Sequence, residues 1–316
     1  MKALQKNKDA SQLERNALRK AVRKKERSSK WVKRRKFASG AYLAPSMAGV
    51  LLFYILPFLV VIFYSLVDNP ISRNFVGIQN FKNVAQNVAF QTAVKNTATF
   101  SLVAVPLAVV LSLLLAMVLD LKLPFRSQFR TFFLSPMMVP VASIVLIWQV
   151  LFHYNGAVND VLQAIGLGKI DWMKSQYAQV VVIILFLWKN LGYNMILFMA
   201  ALASIPRELI EVAQLESANR FQIFFHIKIR YLSSTILFVT IMSLINSFKV
   251  FREVYLLTGD HPYDSIYLLQ HFMNNAFASL DYQRLSAAAI LMALVMIVII
   301  GILFIVENHF GKDVEG

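Results

Sequence analysis

The 316 residues include no cysteine. That excludes a disulfide framework, a thiol nucleophile and a thiolate metal site. Acidic residues are scarce, 17 against 32 Lys and Arg, and they are essentially missing from the interiors of the long apolar runs. A proton-coupled carrier needs carboxylates within its spans, so their scarcity argues against that class. The five histidines (His153, His226, His261, His271 and His309) show no H-E-x-x-H or other metal spacing. No G-x-x-x-x-G-K-[ST] run is present to cradle ATP phosphates, and upstream of Gly311-Lys312 the first glycine position holds Val306. No G-x-S-x-G elbow appears either. The chain is expected to be non-catalytic, with no metal and no cofactor of its own.

What is abundant is apolar surface. Hydrophobic residues make up 58% of the chain, and the mean hydropathy is +0.57. One soluble core cannot hide that much, so the class is membrane protein, all-α. About 20 apolar residues cross the hydrocarbon layer. Apolar runs of that length, free of charge except for Lys189 in the fourth and Lys249 at the end of the fifth, place six transmembrane helices at about 43–67, 96–119, 131–153, 178–204, 231–250 and 285–306. They make one membrane domain over 37–310, between a basic tail at 1–36 and a short tail at 311–316. Pro57, Pro106, Pro136 and Pro140 fall inside spans, where each removes a backbone donor and can kink a helix.

Charge sets the orientation. With the N-terminus inside, the inner segments hold 23 Lys and Arg and the outer segments 8. Positive loops stay in the cytoplasm, which puts both termini and the 207–230 loop there. The tail 1–36 carries fifteen of the basic residues and three acids. It is long, and the run behind it is too long for a cleaved signal peptide, so the first span is expected to stay as an anchor. Anionic membrane lipid suits such a tail, at about 1 kcal/mol per basic residue near the surface. Nucleic acid does not, because Trp31 is the single aromatic before Phe37 and no reading fold accompanies it.

The stretch EVAQLESANRFQIFFHIKIRYL, from Glu211 to Leu232, is amphipathic and stands between two apolar runs. Pro206-Arg-Glu opens a helix with Glu208 and Glu211 near its positive end. Leu209, Val212 and Ala213 form one apolar face. The pattern breaks at Glu216-Ser217-Ala218-Asn219, where Asn219 tolerates a left-handed turn. A second helix presents Phe221, Phe224 and Phe225 together. Two readings fit: a handle for a soluble partner, or an interfacial helix resting on lipid.

These residues resemble the coupling loop of binding-protein-dependent ABC importer permeases, whose motif runs E-A-A-x-x-x-G, nine residues, then I-x-L-P. Glu211, Val212 and Ala213 fill the first three places. Ser217 replaces the glycine, Ile227 and Ile229 match, and Arg230 replaces the proline. Glu216 stands where sugar-type members often have Asp, and Ala218 and Phe221 follow. Further segments resemble the sugar-type class of the maltose and glycerol-phosphate importers: YLAPSMAGVLLFYILPFLVVIFYSL (42–66), FVGIQNF (75–81), RTFFLSPMMVPVASIVLIWQVLF (130–152), NGAVNDVLQAIGL (155–167) with IDW (170–172), WKNLGYNMILFMAALASIPRELIEVA (188–213) and FKVFREVYLLTGDHPYDS (248–265). The resemblance implies a six-span permease subunit whose 207–230 loop engages an ATPase, where ATP is bound. It also implies a second related permease, two ATPase subunits and an extracytoplasmic solute-binding protein.

A sugar path needs aromatic faces and neutral hydrogen-bonding groups. The fourth span offers Trp188, Lys189, Asn190, Tyr193 and Asn194, and the fifth offers Asn246, with Lys249 at its outer end. A mid-span charge such as Lys189 costs roughly 2.5–3.5 kcal/mol, so it must face a cavity, find a partner or snorkel outward. Trp188 equally suits an interface anchor. Asn190 and Asn194 share a helix face and equally suit bonds to a neighbouring helix. The lack of a basic cluster within the spans favours a neutral sugar. A carbohydrate importer subunit in the cell membrane of a prokaryote is the leading reading. The alternative is a stand-alone secondary transporter or an integral membrane enzyme.

Overall fold

The computed structural model describes residues 42–121 and 124–311. The tails expected at 1–36 and 311–316 lie outside this range except for Gly311, as does Lys122. Among the described residues the regular elements are all helices, joined by loops, with one isolated bridge, Val67 to Phe75. Contacts divide the chain into two units after Val61.

The first unit holds most of helix α1, Tyr42–Ser65. A wide π-turn, Leu51–Ile55, comes just before Pro57, and the Leu56 N–H reaches back to the Leu51 carbonyl. Proline has no N–H to continue the ladder, and a π-turn is a common way to absorb that break.

The second unit contains the remaining elements: α2 (Gln79–Ala85), α3 (Val88–Asp120), α4 (Arg126–Met138), α5 (Val141–Leu151), α6 (Ala157–Ala164), α7 (Ala178–Ala203), α8 (Arg207–Leu215), α9 (220–231), α10 (Ser233–Thr258), α11 (Leu269–Ala278) and α12 (Tyr282–Gly311). Helix α3 starts where Asn87 accepts a bond from the Phe90 N–H at 3.2 Å. Its buried row of Ala93, Phe100, Ala104, Ala108 and Ala116 lies at helical spacing. Small residues let α3 approach α7 closely. Phe100 meets Phe186 edge to face at 5.6 Å in that seam.

Among the described residues, five helices are long and apolar enough to cross a membrane: Tyr42–Ser65, Val88–Asp120, Ala178–Ala203, Ser233–Thr258 and Tyr282–Asn308. A sixth crossing is counted only if α4 and α5 are taken together, and these are bent by 100°. The third span expected at 131–153, with Pro136 and Pro140 able to kink it, is two helices. Val139 precedes Pro140, which disfavours helical backbone at Val139, and Val139 is extended at φ −85° and ψ 130°. The fifth span also differs. Expected to end near 250, its helix runs on to Thr258.

Two sequence motifs prove to be loop fasteners. Asn80 donates to the carbonyls of Ser65 at 3.0 Å and Val67 at 2.8 Å, close behind Gly77 at φ +58°. Asn159, fully buried, donates to Tyr154 and Ile170 carbonyls at 2.9 and 2.8 Å. It also accepts from the Ile170 N–H and from Trp172 Nε1, both at 3.1 Å. Every polar atom of that carboxamide is used, which is what burial demands.

Candidate functional site: a polar cavity and an outward-facing bracket

Helices α7 and α10 enclose a cavity of about 660 Å³, closed further by Met137 of α4 and Gln270 of α11. Helix α7 supplies Lys189, Asn190 and Tyr193. Helix α10 supplies Met242, Asn246, Lys249, Arg252 and Glu253, at intervals of three and four residues that keep them on one face.

Lys189 forms an ion pair with Glu253. The Glu253 side chain is 6% exposed and that of Lys189 28%. Of the outcomes open to a mid-span lysine, the structure combines two, a cavity and a partner. The expectation that span interiors lack acids is corrected here. Glu253 sits on the part of α10 that a span ending at 250 assigns to an external loop. Its spacing carried a signal, since Asn246, Lys249 and Glu253 lie on one helix face.

Four of the six expected path residues, Lys189, Asn190, Tyr193 and Asn246, line the cavity. Trp188 and Asn194 do not. Trp188 turns toward Trp148, with ring centroids 6.3 Å apart. Asn194 is buried and donates to Ser243 Oγ at 2.9 Å. Asn246 donates to Asn190 Oδ1 at 3.0 Å, and Asn190 donates to the Phe186 carbonyl at 2.8 Å. Both asparagines of α7 thus bond to α10, while only Asn190 also lines the cavity.

Behind the cavity lies His271 of α11, 1% exposed. Its Nδ1 accepts from the Leu268 N–H at 3.1 Å, and its ring meets Phe251 edge to face at 4.6 Å. Burial pushes its pKa down to about 4 against a weaker upward pull from Asp260, so the ring is neutral at pH 7.

The second candidate site is the bracket made by α8 and α9. Pro206 has the extended backbone of an N-cap, and Glu208 stands in the first turn of α8. The helix ends at Ser217, whose φ is +64°. The Ala218 N–H reaches the Ala213 carbonyl at 2.9 Å and the Ser217 N–H reaches Gln214 at 3.0 Å. That bond pair is a Schellman ending, which favours glycine at the left-handed position. The left-handed residue is Ser217, not Asn219 as expected. Asn219 is extended and caps α9: it accepts from the Gln222 N–H at 2.9 Å, and its own N–H donates to Gln222 Oε1 at 2.8 Å.

The faces also differ from expectation. Ile210, Phe224, Ile227 and Ile229 pack into a core with α3, α7 and α10, and Ile223 is buried. Leu209, Val212, Leu215, Phe221 and Phe225 point outward and are exposed. Leu209 and Val212, expected on one apolar face, are exposed together, while their neighbour Ile210 takes the inner face. Phe224 likewise parts from Phe221 and Phe225. Of the eight expected coupling residues, Ala213, Glu216, Ser217, Ala218 and Ile227 line a concavity of about 330 Å³ in the bend. Glu211, Val212 and Phe221 stand outside it and are exposed.

Residues 104–316 match the family described as binding-protein-dependent transport system inner membrane component. The chain belongs to this family. Its relatives include a probable ABC transporter permease protein of Bacillus subtilis, YurN, 28% identical over 281 residues that cover 86% of this chain and 94% of the relative. The trehalose/maltose transport system permease protein MalF of Thermococcus litoralis is 28% identical over 276 residues, covering 86% of this chain and 93% of its own. Among solved structures, a chain of a bacterial ABC transporter involved in import of the acidic polysaccharide alginate superposes with a TM-score of 0.75 at 22% identity. The superposition covers 90% of this chain and 98% of that one, so the fold is shared. For this inner membrane component, the matched region takes in both the cavity and the bracket.

Proposed function

We propose that this chain is the membrane-spanning permease subunit of an ATP-driven importer for a carbohydrate. It forms half of a translocation pore, and a second, related permease forms the other half. Two separate ATPase subunits hydrolyse ATP, since no P-loop occurs in this sequence. An extracytoplasmic solute-binding protein delivers the solute, in keeping with the family's description. The carbohydrate assignment draws on relatives named for trehalose/maltose and for arabinooligosaccharides. Both termini and the bracket face the cytoplasm, the orientation that the Lys and Arg distribution favours.

The observation that carries this reading is the two-sidedness of the bracket. Its inner isoleucines are anchored in the core shared with α3, α7 and α10, while its outer face leaves five large apolar side chains uncovered. An ATPase groove seated on that face would push α7 and α10 together. Those same helices wall the cavity, so the stroke opens or closes the space around Lys189, Asn190 and Asn246.

The rival reading, a stand-alone secondary carrier, gains one buried acid in Glu253. That acid is committed to an ion pair with Lys189. The test is co-purification with uptake. Glu211→Lys is expected to lose the ATPase partner and ATP-driven uptake while the chain still inserts. Uptake that persists undiminished in that variant rejects the coupling role. Uptake by the chain alone, without any ATPase, favours the rival.

A further inference from the structure

We infer that the α7/α10 cavity selects solutes that carry a negative charge: a carbohydrate bearing a carboxylate, sulfonate or phosphate group. The inference rests on the reading of this cavity as the solute path. It replaces the expectation of a neutral sugar, which came from seeing no basic cluster within the spans.

Folding assembles that cluster. Lys189 stands on α7 and Lys249 on α10, 60 positions apart in sequence, and Arg252 follows one turn later on the part of α10 assigned to an external loop. All three cations line one cavity with a single acid, Glu253. The acid is already taken. It is 4% exposed overall and ion-paired to Lys189, so those two charges cancel. Lys249 and Arg252 remain exposed, with no acidic partner among the described residues.

A concave space with two uncompensated cations and apolar walls focuses positive potential and concentrates anions. Asn190, Asn246 and Tyr193 supply neutral hydrogen-bonding groups and a ring face beside those charges, as a sugar ring requires. Arg252 offers a planar fork that matches a carboxylate, sulfonate or phosphate.

The absence of cysteine allows a direct measurement. Met242→Cys places one thiol on the cavity wall of the full-length chain, co-expressed with its partner subunits and solubilised. Its rates of modification by an anionic (sulfonatoethyl) and a cationic (trimethylammonioethyl) methanethiosulfonate are each divided by the rate with a free small thiol. The anionic reagent is expected to be favoured. Adding Lys249→Gln or Arg252→Gln should lower the anion-to-cation ratio about threefold each, the scale of one charge acting across a wet cavity. A second reporter, Gln270→Cys, repeats the measurement in case the first variant does not assemble.

A ratio at or below that of the free thiol, or one that neither neutralisation changes, overturns the inference. No modification by either reagent would mean that the space is closed to solutes, which overturns the path reading itself. Galacturonate and galactose, at equal concentration and ionic strength, then serve as a matched pair of protecting ligands. Stronger protection by galacturonate is expected, and equal or weaker protection counts against charge selection.

Discussion

The cavity wall and the bracket solve opposite problems. Along α7 and α10 the buried polar groups are largely satisfied within the chain: Lys189 by Glu253, Asn190 by Asn246, Asn194 by Ser243. At the bend between α8 and α9 the backbone is capped on both sides, yet Leu209, Val212, Leu215, Phe221 and Phe225 are left without cover. The wall is complete in its bonding and keeps two cations in reserve. The bracket is closed at its bend and unfinished on its outer surface. Internal satisfaction marks what must hold its shape, and uncovered apolar surface marks what another molecule is expected to finish.

If that contrast is right, the wall is fragile to substitution and the bracket tolerant in stability but not in assembly. The largest effect belongs to Glu253→Leu. It leaves Lys189 charged and unpaired in a span, and a loss of about 3 kcal/mol is expected, the low end for a broken buried pair because Lys189 is partly exposed. Thermal unfolding of the solubilised complex measures it. Adding Lys189→Met should restore most of the loss, and failure to do so would mean that the pair is not coupled.

Next comes Gly192→Ala on α7. A Cβ there would lie 1.9 Å from the Phe133 carbonyl oxygen of α4, backbone that cannot step aside. A destabilisation of about 2 kcal/mol follows, in the range of overpacked interiors. A variant of unchanged melting temperature would show that α4 and α7 do not hold this close approach.

Ser217→Gly should act the other way. At φ +64° a serine pays for a left-handed backbone, and glycine removes roughly 1 kcal/mol of that cost. Increased amide-exchange protection over α8 is the readout, and reduced protection would refute the Schellman ending. The smallest stability effect is expected for Val212→Asp. Val212 is exposed, so the melting temperature should move by no more than about 0.5 kcal/mol allows. Loss of the co-purifying ATPase is expected all the same. A variant that melts far lower would place Val212 in the fold rather than in the interface.

Much of this was legible in the sequence, for reasons that differ by element. Apolar runs long enough to cross a membrane stand out against any background, and four of the expected spans lie within or close to single helices of the structure. The third run broke because hydropathy averages over Val139-Pro140, whereas backbone sterics act at that one peptide. Lys189 announced itself by cost, but its partner lay beyond Lys249, where a charge appears to end the span and the helix in fact continues. The bracket was found by motif and its turn by composition. Which apolar side chains of the bracket pack inward was not readable, because α8 carries Leu209, Ile210, Val212 and Leu215 at different angles and period alone cannot rank them.

The contact at Gly192 has a mechanical consequence. With no side chain between the α7 backbone and the Phe133 carbonyl, the backbones of α7 and α4 meet directly within a longer seam. Such an unpadded contact leaves no slack: a tilt of α7 is expected to carry α4 with it, and Val139, just beyond, is the joint at which α5 can stay behind.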